Sequence, residues 1–154
     1  MKQIKKILCP IDFSEPSEAA LSTAVDLAEH YAAEVVLMHA VNEIDPMPAP
    51  SYTLTPQMVE QIPQLMEQMK ENATRALEAL VKQYIGSRVR TDVRVTTGVA
   101  ARSIVDIAAG EHMDLIVIAT HGRSGIKGIL FGSVAEKVVR TAECPVLTVK
   151  FRNA

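Results

Sequence analysis

The segment ATHGRSGIKGILFGSV, residues 119–134, holds four of the chain's seven glycines. Glycine lets a backbone take left-handed conformations and bring its N–H groups against a ligand that a Cβ would exclude. A helix that follows adds unpaired N-terminal amides and the positive end of its dipole. Gly122, Gly125, Gly128 and Gly132 lead into Ser133 and the helical pattern VAEKVV. The stretch can therefore form a phosphate cradle, with Arg123 and Lys127 as charge partners. A second reading needs no ligand. Ser133 and Glu136 have the S-x-x-E spacing of a capping box, and Gly125 and Gly128 can serve turns alone. GxxxxGK[ST] is missing, and no GxGxxG follows the first apolar run, so neither a Walker-type loop nor a dinucleotide fingerprint is present.

Asp12, in PIDFS, is the other group placed for chemistry. A carboxylate at the carboxyl end of a first strand can accept hydrogen bonds from a ribose hydroxyl or a base amino group. It can equally form the turn that starts a helix. His39 reads as a satisfied strand-end residue, and His121 as a loop residue within reach of a phosphate. No Ser/His/Asp or Cys/His arrangement is recognisable, and nothing marks a base for attacking water. Cys9 and Cys144 stand alone, without a CxxC, and read as two reduced, packed thiols.

Short β-branched runs alternate with helical patterns and must hold these groups in place. IKKILCPI reads as a first strand, and SEPSEAALSTAVDLAEHYAA as a helix with Ser14 at its start. The apolar stripe of that helix is Ala20, Ala24, Leu27, Ala28 and Tyr31. EVVLMHAV is a second strand, followed by a proline-rich loop from Asn42 to Thr55. From Pro56 to Gly86, apolar residues Met58, Ile62, Leu65, Met69, Ala73, Leu77, Leu80 and Tyr84 recur at steps of three and four. This predicts one face packed on a sheet, in preference to a methionine-rich partner surface, with Pro63 kinking the helix or marking its start. VRTDVRVTTG, DLIVIAT and PVLTVKF are further strands, and VAARSIVDIAAGEH and SVAEKVVRTAE are further helices. The unbroken apolar run LIVIA suits a strand covered on both faces. The order predicts an α/β fold: a Rossmann-like open sheet of five mainly parallel strands with helices on both faces.

At 154 residues the length fits one domain, spanning 1–154. A formal net charge of −2 argues against a broad nucleic-acid or anionic-membrane surface. The basic start MKQIKK is followed by too short an apolar stretch for a signal peptide, broken at Pro10 and Asp12, and no run has the length of a membrane helix. A cytoplasmic protein is expected.

These residues resemble the universal stress protein family. KKILCPIDFSEPSEAAL, VVLMHAV and DLIVIATHGRSGIKGILFGSVAEKVVRTAECPVLTVK carry the likeness, and the last block is its specific part. Nucleotide-binding members have the pattern G-x2-G-x9-G-[ST]. On this chain Gly122, Gly132 and Ser133 take the last three motif positions. Ala119 takes the first, adding a methyl that can crowd a phosphate or ribose. The resemblance implies strand order 3-2-1-4-5. It implies Pro10, Asp12 and Ala40 around an adenosine, with Ile118 and Ala119 beside the nucleotide. Gly122, Gly132, Ser133 and Val134 would surround the phosphates, and Gly98 lies in a segment similar to another lining loop. ATP, or ADP or AMP, is the implied ligand, with Mg2+ or Mn2+ held through its phosphates. A homodimer through the last strand, residues 145–151, is implied as well, and it agrees with the need to cover an apolar sheet edge. The expected function is that of an ATP-binding stress-response regulator with at most slow hydrolysis and an unidentified protein partner. Two rivals use the same fold: a dimerisation module without nucleotide, and an adenylyl- or phosphoryl-transfer enzyme.

Overall fold

A computed structural model describes residues 3–43, 54–121 and 131–151. Five strands, β1 (Lys6–Pro10), β2 (Glu34–Val41), β3 (Thr91–Thr97), β4 (Leu115–Ala119) and β5 (Val146–Val149), form one sheet in the order β3-β2-β1-β4-β5. All four pairings are parallel. The helices are α1 (Glu15–Tyr31), α2 (Pro56–Leu80), α3 (Ala100–Gly110) and α4 (Ser133–Thr141), and a π-helical turn, Val81–Ile85, extends α2. Among the described residues no helix is long and apolar enough to cross a membrane.

The strands alternate their side chains between two apolar layers, as a sheet covered on both faces requires. Ile7, Cys9, Val35, Leu37 and Val117 pack with α1 and the carboxyl half of α2. Leu8, Val36, Met38, Ile116 and Ile118 pack with α3 and α4. Ser14 caps α1, its side chain accepting from the Ser17 N–H at 3.4 Å. The helix ends where Ala32 turns left-handed, φ 54. Its buried face is Ser17, Ala20, Leu21, Ala24, Val25 and Ala28. Tyr31, expected in the stripe, is exposed instead, because it sits in the last turn beside that left-handed cap.

Helix α2 departs further from the expected packing. Ala73, Leu77 and Leu80 are buried as expected. Met58, Leu65 and Met69, in the same periodic stripe, are 52%, 46% and 37% exposed. The reason is length. A helix of 25 residues runs about 37 Å, whereas the 8 residues of β2 run about 26 Å, so only one end of α2 has sheet beneath it. Pro63 lies inside the helix and does not start it; Thr55 is the cap. The proline-rich loop lies largely outside the described residues.

Candidate functional site

Sheet order reverses between β1 and β4, and a cleft of about 270 Å³ opens there at the carboxyl ends of the strands. Open α/β sheets place ligands at such a switch point. Pro10, Asp12, Ala40, Ile118, Ala119, Gly132, Ser133 and Val134 line the cleft together. They come from β1, β2, β4 and the start of α4, so the topology gathers residues more than a hundred positions apart. Gly122 and Arg123 lie outside the described residues, as do Gly125, Lys127 and Gly128.

Gly98 is not in that lining. Its φ of 121 suits glycine alone, and its N–H donates to the Val41 carbonyl at 3.0 Å. It turns the chain from β3 into α3, and two α3 residues, Ala100 and Ile104, reach the cleft in its place.

At the adenosine side expected from sequence, Asp12 has a structural task. Its Oδ1 accepts from the Ser14 N–H at 3.0 Å and from the Ser14 hydroxyl. The Ser17 hydroxyl closes the turn by donating to the Ser14 carbonyl at 2.8 Å. Asp12 is thus both the turn former and a wall of the cleft.

Ala40 contributes its backbone. β1 and β2 pair only as far as Pro10 and Met38, where Ile11 N–H donates to the Met38 carbonyl at 2.8 Å. The Val41 carbonyl faces the other way, toward Gly98. N–H and C=O directions alternate along a strand, so the Ala40 amide faces β1 beyond the end of the pairing, inside the cleft. A donor and an acceptor side by side suit the edge of a base.

The opposite wall is the start of α4. Gly132, not Ser133, is its N-cap, and no side chain caps it among the described residues. The expected capping box is not formed. Ser133 is the first helical residue, and the Glu136 carboxylate pairs with Arg140 one turn on. The leading amides of α4 therefore face the cleft at Ser133, Val134 and Ala135. Gly132 fits closely. A Cβ there would stand 3.4 Å from the Thr120 carbonyl, which already accepts the Gly132 N–H at 2.6 Å.

Ala119, the departure from the glycine pattern, pairs with Val149, and its side chain belongs to the α1-side core with Val117. The added methyl is directed to that core, while the next residue, Thr120, turns buried into the cleft wall. The Thr120 hydroxyl and His121 Nδ1 lie 3.0 Å apart. Thr120, Ser17 and Met38 also line the cleft, and no motif in the sequence marks them. Their only signal is position: Thr120 follows Ala119, Met38 lies one alternation from Ala40, and Ser17 sits one turn into α1 from Ser14.

The sequence pattern of the Universal stress protein family matches residues 3–150. The chain belongs to this family. A universal stress protein of Methanocaldococcus jannaschii is 36% identical over 150 residues, covering 95% of this chain and 82% of its own. A second from the same organism is 33% identical over 159 residues and covers 97% of each chain. The solved structure of that second protein has a TM-score of 0.80 at 30% identity, over 99% of this chain and 100% of its own. A universal stress protein solved in complex with cAMP shares the fold at a TM-score of 0.61 and 23% identity, over 96% of this chain and 98% of its own. Among the described residues, no three His, Cys, Asp or Glu side chains gather as metal ligands.

Proposed function

We propose that this universal stress protein binds an adenine nucleotide, ATP or its ADP or AMP product, in the cleft between β1 and β4. The observation that carries the reading is a helix start that, among the described residues, has no side-chain cap, facing the Ala40 amide beyond the end of the β1–β2 pairing across one cleft. The first suits an anion, because among the described residues the leading amides of α4 lack partners, and the dipole favours negative charge. The second suits a base edge. A family member solved with cAMP supports the choice of adenine.

In this reading Pro10, Asp12 and the Ala40 amide hold the adenosine. Ile118 and Ala119 flank it, and Gly122, Arg123, Gly132, Ser133 and Val134 hold the phosphates. Gly98 acts one step back, by setting the start of α3. A Mg2+ or Mn2+ ion is carried on the phosphates. Residues 1–154 act as one domain. Two copies pair through the β5 edge, where Leu147 is exposed. The protein is a regulator of stress responses in the cytoplasm, whose partner affinity changes with nucleotide occupancy. Hydrolysis is slow at most.

Titration calorimetry with Mg-ATP, Mg-GTP and inorganic tripolyphosphate tests the reading. ATP binding tighter than both is expected. Equal affinity for all three, or none for any, overturns it.

A further inference from the structure

The parallel ladder between β1 and β2 stops one rung short of what its register allows. Glu34 N–H donates to the Lys5 carbonyl at 2.9 Å, and Ile11 N–H to the Met38 carbonyl at 2.8 Å. Even-numbered residues of β2 thus face β1. Odd-numbered ones face β3, as Val35 and Val41 do through Arg90 and Gly98. Continuing the pattern, the next rung is Ala40 N–H to the Ile11 carbonyl. It does not form, and the pairing ends at Pro10 and Met38.

The Ile11 carbonyl is taken by a side chain. His39 Nδ1 lies 2.7 Å from that oxygen, and since a carbonyl only accepts, Nδ1 carries the proton and donates. The same ring lies against Phe13, with centroids 4.7 Å apart. Phe13 stands at φ 61, a region that bulky residues rarely occupy without a surrounding constraint. One imidazole therefore holds the residues on both sides of Asp12: the carbonyl before it and the ring after it.

We propose that His39 is a positioning residue that interrupts the β1–β2 ladder, leaving the Ala40 N–H as a donor for the nucleotide base and fixing the turn that carries Asp12. The part of this concerning the base rests on the proposed nucleotide function. The part concerning the ladder does not. His39 also lines the cleft, and its proposed role runs through Ile11, Phe13 and Ala40.

Two variants separate this role from simple packing. His39→Leu keeps bulk and removes the donor. His39→Asn keeps an N–H at the position of Nδ1. The first readout is amide hydrogen exchange in nucleotide-free protein. In the wild type, Ala40 is expected to exchange about tenfold faster than Val36, whose residue lies within the ladder, a difference of about one hydrogen bond. In His39→Leu the free Ile11 carbonyl recaptures the rung and Ala40 slows toward Val36. In His39→Asn it stays fast. Equal protection of Ala40 and Val36 in the wild type, or no change in His39→Leu, overturns the proposal.

The second readout is calorimetry on the same proteins with Mg-ATP and with tripolyphosphate. His39→Leu should weaken ATP about tenfold, leave tripolyphosphate within about twofold, and be rescued by His39→Asn. An equal loss for both ligands means general disruption and refutes positioning. If wild-type protein binds neither ligand, the nucleotide reading fails and the base-recognition part falls with it, while the exchange result still decides the ladder. If ATP binds but the exchange pattern is absent, the nucleotide reading stands and His39 has no such role.

Discussion

Gly132→Val puts the phosphate wall to the sharpest test. At φ −70 and ψ 161 the Gly132 backbone is open to any L residue, so a side chain here brings crowding without backbone strain. A single Cβ would meet the Thr120 carbonyl at 3.4 Å and the His121 Cα at 3.8 Å, both ordinary contacts. Gly132→Ala should therefore fold and bind nearly as the wild type. Valine adds two γ carbons, and the Thr120–His121 backbone blocks one side, so they turn toward the leading amides of α4 and the cleft. A phosphate held by those amides would lose at least one charge-assisted hydrogen bond, about 1.5–3 kcal/mol, or about 10- to 150-fold in affinity. Thermal melting should fall only modestly, by the roughly 0.5–2 kcal/mol that a poor N-cap residue costs, since the site carries no core packing. Calorimetry with Mg-ATP beside a melting curve reads both effects. Wild-type affinity in a fully folded Gly132→Val protein would refute phosphate binding at α4.

Three further outcomes follow from the fold. Leu77→Ala removes a fully buried side chain and should cost about 2–5 kcal/mol in denaturant unfolding. Leu65→Ala, on the exposed half of the same helix, should cost less than about 0.5 kcal/mol. Equal losses would contradict the one-ended packing of α2. Burial pushes the Cys9 thiol up to about 12 from an ordinary 9.0. The folded state keeps its proton while the unfolded thiol ionises, so stability should be full below about pH 9 and decline from there toward pH 12. Cys9→Ala should remove that part of the alkaline decline in unfolding curves. The Thr120 and Ile116 amides donate to the Val149 and Pro145 carbonyls, so alternation turns the Thr148 N–H to the free edge of β5. Thr148→Pro should leave the β4 ladder and the circular dichroism intact yet give monomers by light scattering; a persistent dimer would place the interface elsewhere.

Much of this architecture is legible in sequence because the sheet is buried on both faces. Runs such as LIVIA suit a strand covered on both faces, and their alternation with helical patterns points to parallel crossovers. The site is partly legible for the same reason: Asp12 and the glycine segment each follow a strand, and strand ends meet at the switch point. Periodicity misleads at α2, since the repeat of Met58, Leu65 and Met69 reports an apolar face without reporting how far the sheet beneath it extends. The capping box misleads at α4. S-x-x-E spacing is satisfied by Ser133 and Glu136, but Gly132 takes the cap position and Arg140 takes the carboxylate. The Ala40 amide is invisible to any reading of side chains, because its availability depends on where the ladder to β1 ends.

The most direct test is the content of the cleft itself. Protein purified without added nucleotide would be denatured, and the released small molecules separated by chromatography and identified by mass spectrometry. An adenine nucleotide at close to one per chain is expected, or, if it is lost in purification, saturable recovery after incubation with Mg-ATP. A cleft that yields no nucleotide and takes up none from Mg-ATP would contradict nucleotide binding at the start of α4 and the Ala40 amide.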